Sequence, residues 1–223
     1  MMDYLVEISS TEWINHDVLQ IITSKPEGYA FIPGQATNIA INKPGLEEKS
    51  APFTFTSTPD KPYLEFIIKI YADHNGFTNE LQQVKPGDEL KIGDPWGSIE
   101  YRGSGIFIAG GAGITPFISI LRQLQEDRES EENKLIYANK TTKDIILKDE
   151  LEKMPGLSVI HILSEENNSD YKHGIIDYNT VSSTISSKNQ KIYLCGPGKM
   201  MESIENILKK LNIESDRIIK EEF

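Results

Sequence analysis

The residues of this chain best suited to chemistry are Gly110, Gly111, Ala112, Gly113, Thr115 and Pro116. They follow the apolar run Gly105–Ala109 and precede Phe117, Ile120, Leu121 and Leu124 at helical spacing. That order predicts a buried strand, a tight glycine turn and a helix, with Thr115 as its cap and Pro116 in its first position. Glycines let a ligand reach the backbone, and the unpaired N–H groups of a helix start attract an anion. The chemistry suggested is the binding of a dinucleotide pyrophosphate; taken alone, an ordinary strand-to-helix turn explains the residues as well. A second turn, Cys195-Gly196-Pro197-Gly198, also closes an apolar strand. Upstream, Phe53-Thr54-Phe55-Thr56 alternates rings with hydroxyls. Period-two geometry puts Phe53 and Phe55 on one face, with Thr54 and Thr56 on the other, where hydroxyls can bond the polar edge of a heterocycle. The plainer reading is a barrel strand with its rings inward.

The elements around these residues set where they meet. After residue 102, strands at Gly105–Ala109, Lys134–Ala138, Leu157–Leu163, Lys191–Cys195 and Arg217–Lys220 alternate with helices from Thr115 and at Asp144–Lys153, Asp177–Ser187 and Lys199–Leu211. Such alternation predicts a parallel α/β sheet, whose ligands sit outside the carboxyl ends of its strands. Both glycine turns fall on that edge, which raises the dinucleotide reading above the bland one. Two departures qualify it. Pro116 stands where the usual Gly-x-Gly-x-x-Gly pattern has its third glycine. The next strand ends in Asn139-Lys140-Thr141-Thr142-Lys143, not in the acidic residue that grips an adenosine ribose. Lysines there suit a 2′-phosphate, which favours NADPH over NADH; an exposed polar loop is the alternative.

Before residue 102 the pattern changes. Short strands at Val18–Thr23, Thr37–Ile41, Phe53–Ser57 and Tyr63–Ile70 are separated by Pro- and Gly-containing turns, as in an antiparallel barrel. One short helix is expected at Thr78–Val84, capped by Thr78. The division is therefore 1–102 and 103–223.

The totals exclude several classes. The 223 residues carry a formal charge of −11, which argues against nucleic acid. No apolar run is long enough to insert in a membrane, and the opening residues lack the features of a signal peptide. The single cysteine, Cys195, excludes an internal disulfide and a cysteine-ligated iron–sulfur cluster within this chain. A cytoplasmic location is the default. The histidines show no ligand spacing, and no metal is assigned.

Together these segments resemble the ferredoxin–NADP reductase-like flavoprotein reductases, in order and over essentially the whole chain. Ala51-Pro52-Phe53-Thr54 sits at the family's flavin motif, Arg-x-Tyr-Ser. Phe66-Ile67-Ile68-Lys69 and Gly76-Phe77-Thr78 are similar to the segments holding the flavin mononucleotide portion and the pyrophosphate. Gly110–Pro116 and Cys195-Gly196-Pro197 are similar to the two nucleotide motifs, and Glu221-Glu222-Phe223 to the acidic and aromatic C-terminus. The resemblance implies an N-terminal antiparallel Greek-key β-barrel that binds FAD and a C-terminal α/β parallel-sheet domain that binds NADPH or NADH. It implies hydride transfer to flavin N5, then electron transfer to a separate acceptor such as flavodoxin or ferredoxin. Alternatives are a reductase subunit of a larger complex or oxygenase, and a flavin- or nucleotide-binding module without turnover. By resemblance Phe53 packs on the flavin, Thr54 bonds N5 and Thr115 holds the carboxamide. Cys195 lines the hydride site, Glu221 supplies polarity or a proton path, and Phe223 stacks on the flavin's other face. The family arginine falls on Ala51, so FAD retention is expected to be weak unless Lys49, Lys69 or the helix start at Thr78 compensates.

Overall fold

The computed structural model describes residues 4–72, 76–127, 133–187 and 189–221. Phe223 and His74 lie outside the described residues. The first sheet is antiparallel and has six strands: β1 (Tyr4–Trp13), β2 (Val18–Ser24), β3 (Ala36–Ile41), β4 (Ser50–Thr54), β5 (Tyr63–Lys69) and β6 (Glu89–Ile92). Their order is β4-β3-β6-β1-β2-β5. The two edge strands meet through a bridge between Phe55 and Phe66, so the sheet curls almost into a barrel. Alternation drives this: in β1, Val6 and Ile8 are buried while Leu5 and Glu7 are exposed. The enclosed core gathers Val6, Ile8, Ile21, Ile39, Phe55 and Phe66.

The short helix of this part, α1, runs Phe77–Leu81 from a Gly76 cap, not from Thr78. Thr78 is already helical, and its hydroxyl accepts from the Tyr71 N–H at 3.4 Å.

The second sheet is parallel, in the order β10-β9-β8-β7-β11-β12. Its strands are β7 (Gly105–Gly110), β8 (Asn133–Asn139), β9 (Leu157–Leu163), β10 (Lys172–His173), β11 (Lys191–Cys195) and β12 (Ile218–Lys220). Every residue of β7 is buried, as expected of a central strand covered on both faces. Helices α2 (Thr115–Glu126) and α3 (Lys148–Lys153) contribute to one core cluster, and α4 (Tyr178–Thr184) and α5 (Gly198–Lys210) to another. The α2 cluster also takes in Val18, Ile67 and Ile99, so it is the seam between the two sheets.

Two helix starts differ from expectation. A single 3₁₀ turn, Gly111–Ile114, precedes α2; Ile114 is the cap, Thr115 the first helical residue and Pro116 the second. The Thr115 hydroxyl donates back to the Ala112 carbonyl at 3.0 Å instead of capping. Helix α3 starts at Lys148 and not at Asp144, because Leu147 takes a left-handed φ of 52° and Thr142–Asp144 forms its own capped 3₁₀ turn.

Candidate functional site

The strand order reverses between β7 and β11, where Ala109 pairs with Cys195. The turns that follow these strands therefore share one edge. A β-carbon at Gly113 would lie 2.4 Å from the Cys195 carbonyl oxygen, so only glycine lets the two turns touch. Gly111 has a φ of +52°, and nothing lies within 4 Å of where its β-carbon would be. Its backbone is bare toward the space above the sheet. From below, the buried Tyr137 hydroxyl donates to the Gly111 carbonyl at 3.0 Å and accepts from the Ile146 N–H at 3.3 Å. Burial pushes this phenol up, so it remains a neutral donor.

These turns open on a crevice of about 720 Å³ between the two sheets. The barrel contributes Phe53, Thr54, Ile67, Ile68, Lys69 and Thr78. The parallel sheet contributes Gly110, Gly111, Ala112, Gly113, Thr115 and Pro116 from the first turn, Asn139 and Lys140 from the end of β8, and Cys195, Gly196 and Pro197 from the second turn. Glu221, just beyond β12, completes it. Four expected residues stand elsewhere. Phe55 is wholly buried in the barrel core, stacked on Phe31 at 4.2 Å, and Thr56 is buried with its hydroxyl donating to Glu65 at 2.8 Å. Strand β4 ends at Thr54, so the alternation does not carry on into the site. Gly76 and Phe77 also lie off the crevice; Phe77 packs against Phe53, ring centres 6.1 Å apart.

Other lining residues were not singled out from the sequence: Ala36, Tyr71, Asp144, Ser164, Ile175 and Met200. Trp96 bridges to Ala36 and lines the crevice as well. Only Ile175 carries a signal, as an apolar residue after a glycine in a polar stretch; it is 75% exposed.

The electrostatics sort the candidates. Lys69 points its ammonium at Asp17 (2.7 Å) and stands 4.0 Å from Asp144. His16 lies 3.6 Å from the same Asp144 carboxylate, so His16, Asp17 and Asp144 form a cluster that sequence spacing hides, already holding the lysine as its cation. Burial works to raise the Asp144 pKa, but hydrogen bonds from Thr141 and the nearby Lys69 charge hold it below the usual range. Lys49 is exposed and 4.0 Å from Glu80. Lys140 pairs with Glu165 at 3.2 Å. The Glu166 carboxylate accepts from the Thr142 N–H and hydroxyl at 2.8 and 2.9 Å. Those bonds, with Asn168 and the Lys143 charge, hold Glu166 below the ordinary carboxylate range.

Burial, and secondarily the Glu221 charge, pushes the Cys195 thiol up to about 12. Burial also raises Glu221. Its Oε1 and both amide atoms of Asn139 are buried without a hydrogen-bond partner, an arrangement that costs free energy unless a ligand satisfies them. A largely apolar crevice with a bare glycine turn, a ring and hydroxyl on the barrel wall and two unsatisfied polar side chains fits a flavin and a pyridine nucleotide. The residues that would hold them are Phe53, Thr54, Ile67 and Lys69 on one wall and the two glycine turns on the other.

Residues 4–94 match the family description "FAD-binding domain" and residues 107–206 "Oxidoreductase NAD-binding domain". The chain is 28% identical to the reductase component of propane 2-monooxygenase from Rhodococcus jostii (strain RHA1), over 100% of this chain and 64% of that protein. It thus spans a little under two thirds of that relative. It is 26% identical to NADH-cytochrome b5 reductase 2 of Mycosarcoma maydis, covering 92% of this chain and 69% of that one. Its fold superposes, with a TM-score of 0.87 and 20% identity over 98% of both chains, on the flavohem-like FAD/NAD-binding domain of nitric oxide dioxygenase from Vibrio cholerae. An almost closed antiparallel sheet, a parallel sheet with two touching glycine turns, and two family matches in that order lead to one conclusion: the chain belongs to the ferredoxin–NADP reductase-like family of FAD- and NAD(P)H-binding oxidoreductases.

Proposed function

We propose that the chain is a reductase that takes a hydride from NAD(P)H and delivers electrons to a separate protein acceptor, with residues 1–102 as its flavin domain and 103–223 as its nucleotide domain. The observation that carries this is the shared crevice: Phe53 and Thr54 face it from one sheet, Gly111 and Cys195 from the other. FAD held there would supply the redox chemistry, hydride acceptance and single-electron release. Phe53 packs on the flavin ring, and the Thr54 hydroxyl is the hydrogen-bond partner for N5. Gly111 and the first turn of α2 receive the nucleotide pyrophosphate, Asn139 and Lys140 meet its ribose side, and Thr115 orients the carboxamide. Cys195, kept neutral by burial, presents a small apolar wall that excludes water. Glu221 holds a proton more readily than an exposed carboxyl.

NADH is the better donor in this reading. The lysines that suit a 2′-phosphate are matched by acids: Lys140 is paired with Glu165, and Glu166 lies beside Thr142 and Lys143. This reverses the leaning toward NADPH drawn from Lys140 and Lys143 alone.

The acceptor side is read from a second groove, of about 1020 Å³, that shares Trp96 and Glu221 with the crevice. Its lining includes Arg102, Lys209 and Lys220 against Glu205 and Glu221, with Lys220 paired to Glu205 at 2.6 Å, an excess of one cation on a chain of charge −11. That favours a small acidic carrier of the flavodoxin or ferredoxin type. The oxygenase reductase component among the relatives favours a second reading, in which the chain is one subunit of such a system. A cytoplasmic setting accords with both, and no helix among the described residues is long and apolar enough to cross a membrane. Anaerobic stopped-flow mixing of FAD-loaded protein with NADH and NADPH tests the core reading. Bleaching of the flavin absorbance is expected, faster with NADH; binding of flavin with no bleaching by either nucleotide would leave a module without turnover.

A further inference from the structure

One face of α2 carries Ser119, Arg122 and Glu126, spaced i, i+3 and i+7, and each bonds across the seam to the barrel. Ser119 accepts from the Gly34 N–H at 2.9 Å. Glu126 accepts from Thr58 at 2.9 Å and pairs with Lys61 at 2.7 Å. Between them, the Arg122 guanidinium donates to Glu65 at 2.6 Å, to the Thr56 carbonyl at 2.9 Å, and through both Nε and Nη2 to Glu150 of α3, at 2.6 and 2.9 Å.

The middle contact differs in kind from its neighbours. The Lys61–Glu126 pair has side chains 41% and 37% exposed, and such pairs constrain little. The Arg122 and Glu65 side chains are 20% and 7% exposed. Glu65 also accepts from Thr56 and from Gln20, at 2.8 and 3.2 Å. A forked guanidinium on two carboxylates fixes angle as well as distance, which a lysine does not.

Both ends of this bridge lead into the crevice. Arg122 sits on the helix whose first residues, Thr115 and Pro116, line it. Glu65 sits on β5, which supplies Ile67, Ile68 and Lys69, and Thr56 is two residues from Thr54. We propose that the Arg122–Glu65 bridge is a positioning device: it locks α2 to the barrel and so sets the spacing between the nucleotide turn and the flavin strand. The consequence for hydride transfer rests on the reductase reading; the locking of the two sheets does not. Arg122 and Glu65 touch neither ligand and act only through the elements they join. Correct spacing is worth much in such a reaction, since misplacement by about 1 Å can cost on the order of 100-fold in rate.

The test uses Arg122→Met and the milder Glu65→Gln, which keeps an acceptor for the guanidinium. Val181→Ala, on the far face of the parallel sheet within the α4–α5 core, serves as a destabilised control with an intact bridge. Urea unfolding without added cofactor is followed by tryptophan fluorescence, which reports Trp13 and Trp96 on the barrel side, and by helix ellipticity, which reports mostly α2–α5. The wild type and Val181→Ala are expected to show coincident transitions, and Arg122→Met two separated ones, with Glu65→Gln between. With FAD loaded, Arg122→Met is expected to keep its affinity for FAD and NADH, yet to transfer hydride about 10- to 100-fold more slowly at saturating nucleotide. Its long-wavelength nicotinamide–flavin charge-transfer band is expected to weaken. Coincident transitions in Arg122→Met overturn the proposal, and so does an unchanged transfer rate alongside separated transitions. Absence of flavin reduction in the wild type would instead overturn the reductase reading, and the unfolding comparison would still decide whether the bridge locks the sheets.

Discussion

The Tyr137 hydroxyl donates to the Gly111 carbonyl at 3.0 Å, so a buried side chain of β8 pins the turn that follows β7. Removing that hydroxyl leaves the Gly111 carbonyl and the Ile146 N–H without this partner. Tyr137→Phe is therefore expected to destabilise the protein by about 1–3 kcal/mol. It should also weaken NADH binding more than FAD binding. Urea denaturation and separate titrations of the two ligands check this; equal losses for both ligands would contradict the local role of the turn.

Nucleotide preference is expected to lie in the acidic pair beyond β9. Replacing Glu165 and Glu166 by glutamine frees Lys140 and Lys143 from their carboxylate neighbours. Because these groups are largely exposed, the gain is modest: roughly two- to fivefold in kcat/KM for NADPH relative to NADH. Steady-state kinetics with both donors measures it, and an unchanged ratio would show that the lysines do not reach the ribose.

Cys195 should be inert while the protein is folded. Its thiol is pushed up to about 12 from a model-compound value of 9.0, so the thiolate fraction at pH 8 falls by about 1,000-fold. Alkylation of native protein by iodoacetamide should be slower than that of urea-unfolded protein by roughly 100- to 1,000-fold. The same shift has a sign for stability. The unfolded thiol ionises near 9 and the folded one near 12, so stability is full below 9 and declines as pH rises through that window. Cys195→Ala should flatten part of the decline; Tyr29, raised to about 12 from 10.0 by its burial, supplies another part.

FAD retention is expected to be limited by Ala51. Strand β4 pairs Ala51 with Ile39, next to the lining residue Pro52. The cations considered as substitutes are committed or remote: Lys69 to Asp17, and Lys49 beside Glu80. Helix α1 has five residues with Glu80 in its first turn, a poor setting for a phosphate. Ala51→Arg should tighten FAD binding by about 1.5–3 kcal/mol, measured by fluorescence quenching. No gain would sink this account of the missing arginine.

Much of the molecule was legible in the sequence because its signals are local. Gly105–Ala109 reads as a buried strand because all its residues are apolar, and Gly111 and Gly113 mark a turn whatever surrounds it. The two sheets, and the place of Cys195 at their ligand edge, follow from such segments taken in order; Phe53 and Thr54 are placed at the crevice only by the family resemblance, since their strand alone reads as a barrel strand with its rings inward. What escaped depends on partners distant in the chain. Thr56 looks like Thr54 until Glu65 and Arg122 claim it. Leu147 gives no hint of a left-handed backbone, which here ends one turn and starts α3. His16 and Asp144 have no spacing that connects them; only the seam does. Lys140 looked free because its partner, Glu165, belongs to the next strand's loop.

The strand order has a consequence for how the chain comes off the ribosome. Strand β7 is central, with β8 on one side and β11 on the other, yet β11 is made only after β8, β9, β10 and three helices. Until Lys191–Cys195 emerges, one edge of a wholly apolar strand stays open to any other chain. A nascent chain interrupted before residue 191 would present that edge together with an unfinished nucleotide site. Early release should therefore yield aggregates and not a smaller binding domain, and the second glycine turn, by closing the edge and the crevice at once, makes ligand binding a report that synthesis has passed residue 198.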